Sequence, residues 1–207
     1  MTERTGVVLA GGYSTRFGEQ DKALAPVAGE PMLVRVVTRL SDAVDSLVVN
    51  CRGDQRQAFA SVLDGVAPRT PIRFALDSTP DRGPLAGILS AFKGIEGEYA
   101  AVVACDMPGV DQVFLSALFE RAAGHDAAVP EREDGTLQPV QAVYRVDSMR
   151  TIASELLAAD RRSLHAALDE LDTVVISAAA VAALTDPWTL TDVNTTTERD
   201  AFERNYL

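Results

Sequence analysis

A glycine-rich stretch near the start of the chain carries the residues best suited to bind a phosphate. Residues 7–10 form an apolar run that leads directly into Gly11 and Gly12. Paired glycines let the backbone turn sharply and approach a ligand closely, because no Cβ stands in the way. Exposed N–H groups in such a turn can bind an anion, and Arg16 and Lys22 add two positive charges. The pattern predicts a loop that holds a polyphosphate at the end of a buried strand.

This loop differs from the two commonest phosphate-binding motifs. After Gly12 the chain never provides the Gly-Lys-Ser/Thr of a Walker A loop, and the Gly-x-Gly-x-x-Gly of dinucleotide-binding folds is absent. An ordinary strand-to-helix turn with charged surface residues is the alternative, although it does not explain so many special residues in one stretch. Only two of the 19 basic residues are lysines, Lys22 and Lys93, so a lysine within this loop is informative.

Three further polar residues, Asn50, Asp77 and Asp106, end or directly follow other apolar runs. Ligands of parallel α/β sheets bind at the carboxyl ends of strands, so these positions are candidates for the same site. The Asn50 amide could hydrogen-bond a base edge or a ribose hydroxyl, and the Asp77 carboxylate could accept two hydrogen bonds from guanine or ribose. A turn residue at Asn50 and a capping role for Asp77 are the alternatives.

Asp106 has the chemistry of a magnesium ligand. Mg²⁺ usually takes one or two protein carboxylates and completes its coordination sphere with phosphate oxygens and water. A carboxylate at the end of a central apolar strand, beside a bound triphosphate, suits that role. A purely structural carboxylate there would be costly to bury, so we interpret Asp106 as a metal ligand.

Asp192 and Asn194, late in the chain, are candidates for the far wall of the site. Alternation along an extended segment places both side chains on the same side. Capping of the last helix by Asn194 or Thr195 is the alternative. Residues 138–141 and 161–163 are polar or basic, and either could meet an anionic second substrate or form solvated surface.

Alternating strand and helix patterns in the first half predict an α/β fold with a mostly parallel sheet. We expect one three-layer α/β/α domain over residues 1–207. Asp54 and Asp147 are the expected caps of two helices. The expected strands are residues 7–10, 46–50, 72–76, 99–104, 127–130, 140–144 and 173–176. The expected helices are residues 31–40, 54–63, 83–93, 113–123, 147–159, 161–171 and 197–206.

The composition limits the class of protein. The chain has 207 residues, 47% of them hydrophobic, and a net charge of −11. No apolar run reaches the roughly 18–20 residues of a membrane span, and the N-terminus lacks a signal peptide pattern, so we expect a cytoplasmic protein that does not enter membranes. The negative charge disfavours binding to nucleic acid. A salt-adapted acidic surface and an ordinary acidic protein are both consistent with it.

The cysteines and histidines suggest no further chemistry. Cys51 and Cys105 are far apart in sequence and are expected to be reduced, small core residues. His125 and His165 lack the spacing of metal ligands, so we interpret them as surface or structural residues.

Three segments together resemble the signature of nucleotidyltransferases with a GT-A-like fold, and specifically the molybdenum cofactor guanylyltransferases. These segments are L-A-G-G-x-S-x-R-F-G-x-x-D-K-A-L at residues 9–24, G-P-L-A-G at residues 83–87 and C-D-M-P at residues 105–108. The resemblance covers nearly the whole chain and is weakest in the C-terminal half. It implies a fold like that of the nucleotide-diphospho-sugar transferases.

The resemblance also implies roles for individual residues. Asp106 matches the family's magnesium ligand, Arg16 and Gly18 match phosphate-loop positions, and Asn194 matches a residue near the pterin cofactor. The family commonly has Asn-x-Asn-Thr-Pro at this last position, whereas this chain has Asp192 and Thr196 at the first and last places. The residues expected to bind the nucleotide are Leu9, Ala10, Gly11, Gly12, Lys22, Asn50, Asp77 and Asp106.

The implied reaction is Mg²⁺-dependent transfer of GMP from GTP to the terminal phosphate of molybdopterin, or its molybdenum form, with release of pyrophosphate. In that reaction Arg16 and Lys22 would stabilise charge on the triphosphate, and Asp106 would hold the metal. The anionic acceptor phosphate needs no strong base, consistent with the lack of histidine among the candidates. A monomer or a weak homo-oligomer is expected.

Three other functions stay open at this point. One is a nucleotidyltransferase of the same fold that uses CTP, or a sugar-phosphate or phospholactate acceptor. Another is a dinucleotide-binding oxidoreductase, disfavoured by the missing glycine motif. The third is a GTP-binding regulator without catalytic activity.

Overall fold

Parallel strands bring the predicted site residues to one edge of a sheet in the computed structural model, which describes residues 3–12, 21–66, 70–77 and 82–206. Within these ranges the main sheet has seven strands and a short hairpin forms a second sheet. In chain order the strands are β1 (Thr5–Leu9), β2 (Pro26–Val27), β3 (Glu30–Pro31), β4 (Ser46–Cys51), β5 (Ile72–Leu76), β6 (Tyr99–Ala104), β7 (Ala127–Pro130), β8 (Gln141–Arg145) and β9 (Thr173–Ile176).

Helices cover both faces of the main sheet. In chain order the helices are α1 (Met32–Ser41), α2 (Arg56–Asp64), α3 (Pro84–Phe92), α4 (Gln112–Ala122), α5 (Val146–Ala158), α6 (Leu164–Leu168), α7 (Ala178–Leu184) and α8 (Thr196–Tyr206). Two short 3-10 helices, Lys22–Leu24 and Pro187–Leu190, add single turns.

The main sheet runs in the order β5-β4-β1-β6-β8-β7-β9. Strands β5, β4, β1 and β6 are mutually parallel, β8 is antiparallel to both β6 and β7, and β9 is parallel to β7. The register pairs Leu9 with Asn50 on one side and with Ala104 on the other, and Asn50 with Ala75. The carboxyl ends of four neighbouring strands therefore finish at the same level.

Alternation along the central strands divides the core into two halves. Val8, Val49 and Val103 face one layer, which includes side chains of α1, α2 and α4. Their neighbours Val7 and Val48 face the other layer, together with Val102 and side chains of α3 and α5. Successive side chains of a strand point to opposite faces, and apolar residues at every position are typical of strands buried on both faces. The three-layer α/β fold is confirmed.

Most predicted elements are present, with some corrections at helix ends. Asp54 is not a helix cap: α2 begins at Arg56 after Gln55, and Asp54 pairs with Arg52. Asp147 lies inside the first turn of α5 and does not cap it. The helix predicted over residues 161–171 is confined to α6, because Ser163 caps its start by accepting from the Ala166 N–H.

Helix α7, the β2–β3 hairpin and the two 3-10 helices were not predicted from the sequence. Helix α7 follows Ser177, whose side chain accepts a hydrogen bond from the Ala180 N–H. Five of its seven residues are alanine, so its hydrophobic periodicity is weak. The β2–β3 hairpin has only two residues per strand, which is too short to produce an alternating pattern.

The structure also places both cysteines and one of the two histidines. Cys51 and Cys105 are both free thiols, and burial raises the pKa of Cys51 to about 11. His125 Nδ1 lies 2.9 Å from an exposed carboxylate, Asp172 Oδ2. Within the described part of the chain, no helix is both long enough and apolar enough to span a bilayer.

Candidate functional site

Backbone pairing continues past the strand ends and aligns the residues that follow them. Ala10 N–H donates to the Asn50 carbonyl (2.9 Å), and Cys105 N–H donates to the Leu9 carbonyl (3.0 Å). Asp77 N–H donates in the same way to the carbonyl of Cys51 (3.0 Å). The sheet itself thus places Asn50, Asp77 and the segment leading to Asp106 around the end of β1.

Asn50 and Asp77 form one wall of a cleft of about 220 Å³. Asn50 is 2% exposed, and its Nδ2 donates to Asp77 Oδ1 (2.8 Å) and to the Ala75 carbonyl (3.2 Å). Both donor hydrogens of the amide are therefore engaged, which fixes its orientation. The cleft is lined by Leu9, Gly11, Gly12, Asn50, Asp77, Arg82, Gly83, Pro84, Ala86, Gly87, Ala104 and Val140.

Two glycines leave room for these polar side chains. A Cβ on Gly87 would lie 2.5 Å from Asn50 Oδ1, and a Cβ on Gly11 would overlap Asp77 Oδ2. Any larger residue at either position would displace the polar wall. Gly83, which precedes α3, has φ of +80°, a conformation that favours glycine. The two glycines of the G-P-L-A-G segment therefore shape the cleft through the backbone, because one leaves room for Asn50 and the other adopts a positive φ.

The electrostatics of Asp77 reflect its partial burial. Removal from water raises the pKa of its carboxyl, and this effect outweighs the opposing influence of the Asn50 hydrogen bond and the Arg52 charge. Asp77 is therefore easier to protonate than an ordinary surface aspartate.

Lys22 and Asp106 are in direct contact, and Asp106 lies two positions after Ala104, which lines the cleft. Lys22 Nζ donates to Asp106 Oδ2 (2.6 Å) and to Asn194 Oδ1 (2.6 Å). The lysine and aspartate side chains are 13% and 23% exposed. Lys22 begins a 3-10 turn whose first turn is capped by Asp21, which accepts from the Ala23 N–H (3.0 Å). The glycine-rich loop and the end of β6 therefore meet at one ion pair.

The C-terminal segment reaches this ion pair through the backbone. Val193 N–H donates to the Asp106 carbonyl (2.8 Å), and Val193 is buried with Phe202 of α8 against the β2–β3 region. Thr195 Oγ1 caps α8 by accepting from the Glu198 N–H (3.2 Å). Because Thr195 caps the helix, the Asn194 amide faces Lys22 instead of the helix end.

Asp192 connects this cluster to Arg132, which the sequence did not suggest. Arg132 Nη2 donates to Asp192 Oδ1 (2.7 Å), and Asp192 Oδ2 accepts from Asn194 Nδ2. Partial burial is the largest single influence on the pKa of Asp192 and raises it, but the hydrogen bond and charge of Arg132, together with the Asn194 hydrogen bond, outweigh burial and lower the pKa. A second cavity of about 380 Å³ lies against Arg132 and Asp192, between the 131–134 segment and α7. Its wall includes the apolar residues Ala178, Val181, Ala182 and Leu190.

A second arginine that sequence reasoning missed, Arg52, lies under the glycine pair. Its Nη1 donates to the carbonyls of Gly11 (3.1 Å) and Gly12 (2.8 Å). The signal available in the sequence was an arginine directly after the apolar strand β4, where a surface residue is the ordinary interpretation. Its burial, with 8% of the residue exposed, depends on tertiary packing.

The remaining candidates are placed less directly. Arg16 and Gly18 lie outside the described residues. Gln141 is fully buried and donates to Thr189 Oγ1 (3.0 Å). Arg161 and Arg162 are exposed and pair with Glu170 and Asp160. Across the described ranges, no group of three or more His, Cys, Asp or Glu side chains is arranged to hold a metal ion.

Comparisons with known proteins agree with this fold. A family model described as the MobA-like NTP transferase domain matches residues 6–174. A probable molybdenum cofactor guanylyltransferase from Natronomonas pharaonis is 48% identical over 181 residues, which cover 87% of each chain. One from Haloferax mediterranei is 39% identical over 194 residues, covering 94% of this chain and 90% of that relative.

Solved structures share the fold at lower identity. Molybdopterin-guanine dinucleotide biosynthesis protein A from Archaeoglobus fulgidus has a TM-score of 0.77 at 22% identity, and the match covers 97% of both chains. A 4-diphosphocytidyl-2C-methyl-D-erythritol synthase from Anaerococcus prevotii has a TM-score of 0.72 at 11% identity, covering 98% of this chain and 97% of that one. The extent of the family match and the identity to the two relatives show that the chain belongs to the MobA-like NTP transferase family.

Proposed function

We propose that the protein transfers GMP from GTP to the terminal phosphate of molybdopterin, or its molybdenum form, and that residues 1–207 act as one nucleotidyltransferase domain. The observation that carries the proposal is the contact between Lys22 and Asp106, 2.6 Å apart. Asp106 lies two positions after Ala104, which lines the cleft. The names of the relatives from Natronomonas pharaonis and Haloferax mediterranei support the choice of substrates.

The cleft is the proposed binding site for the nucleoside of GTP. Guanine presents adjacent N–H donors on its Watson–Crick edge, and the Asp77 carboxylate can accept both. Asn50 Nδ2 holds one Asp77 oxygen, which orients the carboxylate before the base arrives. The backbone of Leu9 and Ala10 then borders the ribose, and Gly11 and Gly12 border the two phosphates that leave.

The proposed reaction is an in-line attack at the α-phosphorus. An oxygen of the acceptor phosphate forms the new P–O bond, and the bond to the pyrophosphate breaks. Lys22 and Arg16 stabilise the negative charge that develops on the triphosphate as pyrophosphate leaves. Because the nucleophile is already an anion, catalysis depends on positioning and electrostatic stabilisation rather than on a general base.

Asp106 is the proposed ligand of Mg²⁺. Mg²⁺ needs one or two protein carboxylates when a triphosphate supplies further oxygens, so a single partly exposed carboxylate at the end of β6 fits this ion. Bound there, the ion would neutralise phosphate charge and orient the leaving group. Lys22, in contact with the same carboxylate, would then be available to the phosphates.

The acceptor is proposed to bind on the other side of Lys22. Asn194 and Asp192 line the approach, and Arg132 holds Asp192 in place (2.7 Å). The neighbouring cavity of about 380 Å³ combines an apolar wall with Arg132 and several carboxylates. Such a mixture suits a flat ring with donor groups at its edge, as in a pterin.

A nucleotide panel tests this proposal. The protein is mixed with Mg²⁺, molybdopterin and GTP, CTP, ATP or UTP, and pyrophosphate release is measured with and without the acceptor. We expect release that requires both GTP and molybdopterin. Release with CTP in preference to GTP, or with a sugar phosphate or phospholactate instead of molybdopterin, would assign another activity of this fold. Binding of GTP without turnover on any acceptor would identify a regulator.

A further inference from the structure

Arg52 is a buried charge whose partners include the backbone carbonyls of Gly11 and Gly12. One guanidinium nitrogen donates to both Gly11 and Gly12, and the other two donate to Asp54 (3.1 and 3.2 Å). A planar guanidinium can satisfy several acceptors at once in fixed directions. The carboxylate of Asp54, itself exposed, holds the guanidinium from the solvent side.

This contact fixes which way the loop peptides face. The carbonyl and N–H of a trans peptide point in opposite directions. Because the Gly11 carbonyl is turned to Arg52, the N–H of Gly12 in the same peptide plane points away from Arg52. Gly11 and Gly12 both line the cleft, and Arg52 contacts them from the carbonyl side. Without Arg52, these two carbonyls would lose the donor that holds them, and glycine tolerates many backbone conformations.

Gln55 holds the other end of the same loop. Its Nε2 donates to Asp21 Oδ2 (2.5 Å), and its Oε1 accepts from the backbone N–H of Arg52 (2.9 Å). Asp21 in turn caps the 3-10 turn that begins with Lys22. Gln55 is 4% exposed, so a buried polar group links the two ends of the loop through the turn between β4 and α2.

We propose that Arg52, assisted by Gln55, is a positioning residue for triphosphate binding. It turns the carbonyls of Gly11 and Gly12 away from the ligand, so that the Gly12 N–H faces the phosphates. Gln55 also donates to Asp21, which caps the 3-10 turn that begins with Lys22, and in this way helps to position Lys22. This inference rests on the proposed nucleotidyltransferase function, but it concerns the phosphates and not the identity of the base or acceptor.

The test compares GTP with GMP in Arg52→Gln, by isothermal titration calorimetry in the presence of Mg²⁺. GMP retains the base and ribose but lacks the two phosphates that leave. We expect GTP affinity to fall about tenfold or more, since several charge-assisted hydrogen bonds are lost, while GMP affinity changes by less than about threefold. Arg56→Gln is the matched control: it removes the same charge at an exposed position next to Gln55, where the guanidinium lies over the Phe74 ring. GTP affinity of the control should be unchanged.

A second variant, Gln55→Ala, keeps the proposal falsifiable if Arg52→Gln fails to fold. It should show the same selective loss for GTP, with a smaller magnitude, and thermal unfolding establishes that each variant tested is folded. Equal losses for GTP and GMP, or an unchanged GTP affinity in a folded variant, would overturn the proposal. If the wild-type protein prefers CTP, the guanylyltransferase proposal fails, and the same comparison with CTP and CMP still tests the role of Arg52.

Discussion

The two walls of the candidate site are built in different ways. The nucleotide wall consists of residues at the ends of β1, β4 and β5, which are parallel neighbours held in register by the sheet. The acceptor wall consists of Arg132, Asp192 and Asn194, which come from loops and are held by one another. Backbone pairing between strands therefore fixes the first wall, whereas the second depends on side-chain pairs and on the hydrogen bond from the Val193 N–H to the Asp106 carbonyl. Substitutions should accordingly have separable effects on the two substrates.

The largest effect is expected where the walls meet. Lys22→Ala and Asp106→Asn each remove a preorganised charge at the reacting phosphates, and we expect turnover to fall by roughly 10²–10³-fold. Steady-state pyrophosphate release at saturating GTP and Mg²⁺ measures this loss. Lys93→Ala, which removes the other lysine of the chain from a position outside the ion pair, is the control. Near-normal turnover of either site variant would remove Lys22 and Asp106 from the proposed chemistry.

We expect Arg132→Ala to weaken binding of the acceptor but not of GTP. Loss of the guanidinium leaves Asp192 without its ion-pair partner and alters the cavity wall, so the KM for molybdopterin should rise by about tenfold. The KM for GTP should not change, because Arg132 does not belong to the nucleotide wall. Arg121→Ala, at an exposed position in α4, is the matched control. Equal increases in both KM values would show that the two walls are not independent.

Acidification should weaken GMP binding at a pH where the protein is still folded. The carboxylate of Asp77 accepts hydrogen bonds from guanine only when ionised, and burial raises its pKa above the usual value of 3.8. GMP affinity should therefore fall as the pH drops through this raised pKa, at a higher pH than for an ordinary aspartate. Calorimetric titrations of GMP at a series of pH values measure this, and Asp77→Asn should bind weakly at every pH.

Without ligand, the contribution of Asp77 to the free energy of unfolding should change with pH in the opposite direction to its contribution to GMP affinity. A carboxyl whose pKa is raised in the folded state favours folding when protonated, so its contribution is lost as the pH rises from the unfolded pKa through the folded one. Asp77→Asn should therefore be at least as stable as the wild type at neutral pH, as judged by thermal unfolding. A GMP affinity of the wild type that stays constant through this pH range would contradict the role assigned to Asp77.

A smaller effect is expected from Gly87→Ala. The new methyl group would lie 2.5 Å from Asn50 Oδ1, and overpacking of this kind costs about 1–3 kcal/mol. Alanine gains only ~1 kcal/mol over glycine in a helix, so we expect a melting temperature lower by a few degrees and weaker GMP binding. Gly53→Ala is the control, because a Cβ there meets no atom within 4 Å. A more stable variant with normal GMP affinity would mean that Asn50 can move without consequence.

The sequence predicted the nucleotide wall better than the acceptor wall, for a physical reason. Asn50, Asp77 and Asp106 each end or follow an apolar run, and parallel pairing guarantees that such ends meet. Their placement follows from local pattern, although their roles stay predictions until the variants are measured. The structure adds that Asn50 Nδ2 donates a hydrogen bond to Asp77 Oδ1.

The arginines of the site carried no comparable signal. Arg52 is one of many arginines in the chain, and only its burial beneath Gly11 and Gly12 distinguishes it. Arg132 lies in a polar loop, and its partner Asp192 is 60 residues away along the chain. Pairs separated by that distance are fixed by tertiary packing, which no spacing rule in the sequence encodes.

Identification of the product tests the proposed transfer of GMP to molybdopterin. The protein is incubated with GTP, Mg²⁺ and molybdopterin, and the reaction is analysed by mass spectrometry beside a parallel reaction with Lys22→Ala. We expect the guanine dinucleotide of molybdopterin together with pyrophosphate in the wild-type reaction, and a very small yield with the variant. Unchanged GTP and molybdopterin after incubation with folded wild-type protein would contradict the proposed transfer.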